Sequence, residues 1–180
     1  MKKRMISVFL AVAMLVSMLP LTAMPAMAAT PVISFLNWSE TEKKLYEDSV
    51  TDYELITSDR LTVDSSRLYS GWYVVKDDVT FTGFRVIAEG DVHLILCDGA
   101  KLTASKGISV PSGNSLTIYG QENNSGILQI DKATDNDAGI GGHSAAAAGE
   151  IRRIGDNNVE ASAGGTLLDP AKIALPNADG

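Results

Sequence analysis

The chain has 180 residues, a formal net charge of −7 and a single cysteine. The acidic balance argues against a nucleic-acid partner, because binding phosphates needs a basic surface, and suits an exported protein. One cysteine excludes an intramolecular disulfide, and Cys97, beside Leu96 on an apolar stretch, reads as a small core residue rather than a reactive thiol.

Lys2, Lys3 and Arg4 precede an apolar run from Met5 to Leu19, Pro20 breaks it, and Ala26-Met27-Ala28 supplies the small-x-small pattern cleaved by signal peptidases. Residues 1–28 therefore read as a secretory signal peptide. A membrane anchor would need about 20 apolar residues and no good cleavage site, so no membrane span is expected after cleavage. The rest is enough for one domain that buries roughly two thirds of its unfolded surface.

Residues 29–75 read as an N-terminal cap of short strands. The β-branched and aromatic run ending at Trp38 predicts a strand. Ser39 and Glu42 have capping-box spacing, which predicts a short helix to Asp48, with a charged loop as the alternative. Tyr53 to Thr57 and Leu61 to Val63 read as strands, Ser65 to Ser70 as a polar connection. Val79 to Thr82 and Phe84 to Ala88 are further strands, divided by Gly83.

From Asp91 the same order recurs: strand, Gly/Asp turn, strand, Gly-Ile. The first copy has Val92 to Leu96, Cys97-Asp98-Gly99, Lys101 to Ala104 and Gly107-Ile108. The second has Leu116 to Tyr119, Gly120 to Ser125, Ile127 to Ile130 and Gly139-Ile140-Gly141-Gly142. The third has Glu150 to Ile154, Gly155 to Asn158, Val159 to Ser162 and Gly164-Gly165. Recurrence at roughly 20 to 50 residues marks stacked repeats that bury their apolar faces against neighbours.

Short strands between turn residues, without helical periodicity, exclude a doubly wound α/β fold and leave a sandwich or a solenoid. Laying Asp91 on Ser115 puts Val92 and Leu94 on Leu116 and Ile118, so alternate side chains would stack along one inward face. The spacers are also longer than two-residue hairpin turns. The fold expected is all-β: a short right-handed parallel β-helix, or solenoid, over residues 76–165. The face carrying Ile95, Cys97 and Tyr119 needs a cover, and the segment with Trp38, Tyr53 and Trp72 is the available lid. Residues 166–180 form an irregular tail, either a short cap or the cut end of a longer array.

At Gly71-Trp72-Tyr73-Val74-Val75, Gly90 to Ala100, Gly107-Ile108, Gly113 to Gln121 and Gly139-Ile140-Gly141-Gly142 the chain resembles exported surface proteins of Gram-positive bacteria that carry Gly-Ile-Gly-Gly repeats. The resemblance covers residues 72–142, with a fainter echo to Gly165. It implies a β-helix-like stalk or adhesin, and some members are described as carbohydrate-binding-domain proteins. The chain departs from the pattern after Gly142, where His143 to Ala148 replaces a Gly-rich turn and Arg152-Arg153 interrupts a Thr/Ile strand. The resemblance brings no catalytic residue with it.

Asp131, Asp135 and Asp137 are the most ligand-like cluster, since Ca²⁺ takes carboxylate oxygens at alternating positions. They lack the EF-hand frame and the calcium-binding nonapeptide, and a polar loop explains them equally well. Calcium is thus the one candidate cofactor. His93 and His143 have no local Ser/Asp partner and no metal-ligand spacing. A polysaccharide lyase would need acids and a cationic base, for which Asp135, Asp137, Arg152 and Arg153 are the nearest set. Adjacent arginines on a strand point to opposite faces, so one at most could serve. Glycoside hydrolysis needs two facing carboxylates, and no paired motif suggests them. For sugar binding through aromatic rings, Trp38 and Trp72 read as core, leaving Tyr73 and Tyr119 as candidates.

The expectation is an exported cell-surface structural or adhesive repeat module without catalytic activity. The alternative is a non-catalytic carbohydrate-binding module for cell-wall or host polysaccharide, and third a degenerate lyase-like enzyme.

Overall fold

A computed structural model of the protein describes residues 31–62, 65–131, 138–142, 147–155, 158–161 and 173–174. The proposed signal peptide, Asp135, Asp137, His143 and Gly164-Gly165 lie outside the described residues. Every regular element among the described residues is a strand: β1 (Ile33–Ser39), β2 (Lys44–Val50), β3 (Glu54–Leu55), β4 (Arg67–Leu68), β5 (Gly71–Val75), β6 (Val79–Phe81), β7 (Val86–Ala88), β8 (Asp91–Leu96), β9 (Lys101–Ala104), β10 (Ile108–Ser109), β11 (Ser115–Tyr119), β12 (Ile127–Ile130), β13 (Ile140–Gly141), β14 (Glu150–Ile154), β15 (Asn158–Ala161) and β16 (Ile173–Ala174).

The chain deals these strands in rotation to three parallel sheets. β3, β5, β8, β11, β14 and β16 make a six-stranded sheet, β6, β9, β12 and β15 a second, and β4, β7, β10 and β13 a third. From β5 to β13 each triplet of strands therefore adds one strand to every sheet. Ser115 pairs with Asp91, Leu116 with Val92 and Ile118 with Leu94, which is the register read from the repeat. Ser115 pairs in turn with Glu150, and Leu116 with Ile151. The described chain is all-β and mostly parallel, an arrangement compatible with a β-helix-like fold.

Strict alternation explains why these residues stack. Val92, Leu94, Leu96, Leu116 and Ile118 point one way from their strands and join Val75, Phe81, Val86, Leu102, Ile108, Leu128 and Ile140 in one core. Val92, Leu94 and Leu96 are fully buried; each side chain of this kind contributes about 1.5–3 kcal/mol by leaving water. The stacking also reaches upstream of residue 76, because Gly71–Val75 pairs with β8 from Gly71 opposite Val92 to Val75 opposite Leu96.

The other face of the six-stranded sheet carries a second cluster. Val74, Ile95, Tyr119 and Ile154 pack there against Ile33 and Phe35 of β1, with Trp38, Tyr53, Trp72 and Cys97 around them. The cover expected from the N-terminal segment is thus an antiparallel hairpin, β1 with β2. Leu36 N–H bonds Gly120 O at 2.9 Å and Gln121 Nε2 bonds Ser34 O at 2.7 Å, tying it to the turn after β11.

Three local expectations are corrected. The helix expected after Ser39 is instead the hairpin's loop and its second strand. Glu42 N–H does bond Ser39 Oγ at 3.1 Å, as in a capping box, but Lys43 takes a left-handed φ of 53° and reverses the chain after a single turn. The weak apolar stripe of Leu45, Tyr46 and Val50 could not propagate a helix, and β pairing with β1 takes over. Leu61 is buried in the core without belonging to a strand, while the supposed polar connection contains β4, because Leu68 pairs with Ala88 and buries itself.

The structure also accounts for the Gly-Ile motif. Gly107 has a φ of +83°, and a Cβ there would lie 2.3 Å from Gly139 O and 2.9 Å from Arg85 Nη1. The Arg85 guanidinium occupies that corner, donating to Lys106 O at 3.0 Å, Ile108 O at 3.1 Å and Ala138 O at 2.5 Å. Any side chain at 107 would displace it.

Candidate functional site

Where the third sheet hands the chain back to the six-stranded one, successive triplets turn at Gly90-Asp91, Gly113-Asn114-Ser115 and Ala148-Gly149-Glu150. These turns line an open groove of about 690 Å³. Asn114 spaces them: its Oδ1 accepts Gly90 N–H at 2.6 Å, its carbonyl accepts Glu150 N–H at 2.9 Å, and its Nδ2 donates to Pro111 O at 3.0 Å. Gly149 is required on the groove floor because a Cβ would fall 2.1 Å from Asn114 O.

From this groove a hydrogen-bonded chain runs onto the outer face, and it corrects the expectation that His93 lacks a local acid partner, because Asp91 two positions upstream is one. Ser115 Oγ donates to Asp91 Oδ1, His93 Nε2 lies 3.2 Å from Asp91 Oδ2, and His93 Nδ1 lies 2.9 Å from the Tyr119 hydroxyl. An ionised carboxylate only accepts, so Nε2 donates to Asp91, and in the neutral imidazole Nδ1 then accepts from Tyr119. Trp72 stacks on the imidazole, with centroids 4.3 Å apart and planes 16° from parallel. The Ser115 hydrogen bond, opposed by partial burial and assisted by His93, holds the Asp91 carboxyl below the usual range. Burial pushes the Tyr119 phenol up to about 12.

The order Ser115, Asp91, His93, Tyr119 matters chemically. The carboxylate stands between hydroxyl and imidazole, so His93 is not placed to take the Ser115 proton as a nucleophile's base would be. An Asp91 held ionised is also a poor general acid, which needs a raised pKa. This cluster is suited to accepting hydrogen bonds.

Tyr73 and Tyr119, the rings expected to meet a ligand, are each only 5% exposed. Tyr73 lies in the main core with its hydroxyl accepting Tyr69 N–H at 3.1 Å, and Tyr119 lies under the hairpin against Phe35. Neither offers a face to a sugar. Tyr69 was passed over in the sequence and is 57% exposed. It lies directly before Ser70, whose Oγ accepts Asp91 N–H at 3.0 Å. Its place between buried Leu68 and the turn was the available signal, hidden because β4 was not read as a strand.

Asp131, of the candidate calcium cluster, accepts from Ser105 Oγ at 2.9 Å and Gln129 Nε2 at 2.7 Å. Its partners Asp135 and Asp137 lie outside the described residues. Arg152 and Arg153 pair with Thr117 and Ile118, so they face opposite sides as expected, and Arg152 Nε is 2.5 Å from Glu150 Oε1. Burial raises the Cys97 thiol above its ordinary range, which suppresses the thiolate.

Compared with protein-family models, curated proteins and solved structures, the chain matches none of them.

Proposed function

We propose that this chain is a structural and adhesive repeat module of an exported surface protein, without catalytic activity, in which the three sheets wind as a right-handed parallel β-helix. The observation that carries the reading is the register itself: Asp91, Ser115 and Glu150 stand in one column, and each triplet stacks on the last without a shift. A stack of this kind grows along one axis and presents repeated turns along its side, the geometry of stalks and extended binding surfaces. The leader-like N-terminus and the likeness to Gram-positive surface proteins with Gly-Ile-Gly-Gly repeats support export.

Protease shaving of intact Gram-positive cells expressing the full chain tests this. The expected result is release of its peptides from whole cells, and loss of adhesion when the gene is deleted. Retention in the cytoplasm, or release of unsaturated oligosaccharides from pectin-type substrates, would overturn the reading.

The groove favours a second reading, a non-catalytic carbohydrate-binding module. Its exposed carboxylates, on Asp91 and Glu150, are suited to hydroxyl groups and lie on turns that the strand register brings into one line.

A further inference from the structure

We infer that the groove at Gly90-Asp91, Gly113-Asn114-Ser115 and Gly149-Glu150 takes an uncharged, hydroxyl-rich glycan chain. This rests on the carbohydrate-binding reading and sharpens it to a ligand class.

The argument is a count of donors and acceptors. The groove's own donors are largely committed within the fold. Gly90 N–H bonds Asn114 Oδ1 at 2.6 Å, and Ser115 N–H bonds Gly90 O at 2.8 Å. Gly149 N–H bonds Val110 O at 2.8 Å, and Glu150 N–H bonds Asn114 O at 2.9 Å. Asn114 Nδ2 is held by Pro111 O at 3.0 Å and Ser112 O at 3.4 Å, and the Ser115 hydroxyl by Asp91. What faces solvent is the acceptor side: the Asp91 and Glu150 side chains are 67% and 57% exposed. A ligand that fits must therefore donate. Uronates, phosphates and sulfates, which bring acceptors and negative charge, meet repulsion.

Both carboxylates already have hydrogen-bond partners, of which the one at Glu150 is a cation. Glu150 has Arg152 beside it, and Asp91 has Ser115 and His93. Neutral hydroxyls can fill the acceptor sites that these partners leave open, since an ionised carboxylate has about four. Register adds a length requirement. Asp91 and Glu150 pair with Ser115 from either side, so they stand two strands, roughly 10 Å, apart. A ligand meeting both is a chain of sugars. Exposed Tyr69 is next in the chain to Ser70, whose Oγ accepts Asp91 N–H, which makes it the aromatic residue to test at the Asp91 end of the groove.

Equilibrium titration of the full chain with neutral gluco- and manno-oligosaccharides, chitosan oligosaccharides and oligogalacturonate tests the inference. A neutral series is expected to bind, with oligogalacturonate at least about tenfold weaker. Glu150→Gln should weaken neutral binding about fivefold to tenfold, since a charge-assisted bond is roughly twice as strong as a neutral one. Tyr69→Ala should weaken it about fivefold; unchanged circular dichroism would separate either loss from misfolding. Equal affinity for oligogalacturonate, a preference for chitosan that vanishes with salt, or indifference to both variants would overturn the ligand class while leaving carbohydrate binding standing. Absence of binding to every glycan would overturn the carbohydrate reading itself.

Discussion

On the inner face of the six-stranded sheet, Val92 pairs with Leu116 and Leu116 with Ile151, while Leu94 pairs with Ile118. On the outer face, the column beside them holds Trp72, His93, Thr117 and Arg152. The inner columns are aliphatic from β8 to β11, with Tyr73 and Arg153 at the two ends of the Leu94 column, and are satisfied by adjacent triplets. The outer column repeats nothing, and its neighbours Ile95 and Tyr119 are buried only because a hairpin more than 40 positions upstream lies over them. The stack's inner stability is therefore a sum over nearest neighbours, whereas the outer layer depends on one long-range docking event.

Four measurements break or sharpen that difference. Leu94→Ala should cost the most, about 4 kcal/mol, because a fully buried leucine leaves a cavity that the stack above and below cannot close. Urea denaturation should show the whole transition moving. Phe35→Ala removes a ring 4.9 Å from both Trp72 and Tyr119 and should cost about 3 kcal/mol, but locally. Hydrogen exchange should lose protection in β1 and β2 while β8 and β9 keep theirs; equal loss in both regions would contradict a separable outer layer.

Tyr119 offers a pH test of the same layer. Its folded pKa of about 12 lies above the ordinary 10.0, so its contribution is complete below about pH 10 and is lost as pH rises toward 12. Stability should fall by roughly 2 kcal/mol across that window, and Tyr119→Phe should remove this part of the slope. Ser39→Ala deletes the hydrogen bond to Glu42 N–H at an exposed loop and should cost only about 0.5 kcal/mol, read as a small shift in melting temperature.

The inner face was legible because its information is local. Alternation over five residues and the alignment of Asp91 with Ser115 suffice to place Val92, Leu94, Leu116 and Ile118, and the structure pairs them so. Even the need for a lid over Ile95, Cys97 and Tyr119 followed from a strand apolar on both sides. The lid's conformation did not, since Ser39 and Glu42 make the same hydrogen bond in a helix start and in a reversing turn. The triplet β5, β6, β7 is hard to read as a repeat because Arg85 and Val86 stand where later copies have a Gly-Ile. The groove was hidden for another reason: Asp91, Asn114 and Glu150 lie tens of residues apart, and only the stacking brings their turns into one line.

Arg85 bears on how such a chain finds its alignment at all. Similar modules invite slippage, in which a strand joins the wrong neighbour and still buries a comparable set of aliphatic groups. The guanidinium reaches carbonyls of the following triplet at Lys106 and Ile108 and of the one after at Ala138. A frame-shifted assembly would strand that cation against the wrong backbone, so a single unrepeated arginine acts as an index mark by which an otherwise self-similar ladder counts its rungs.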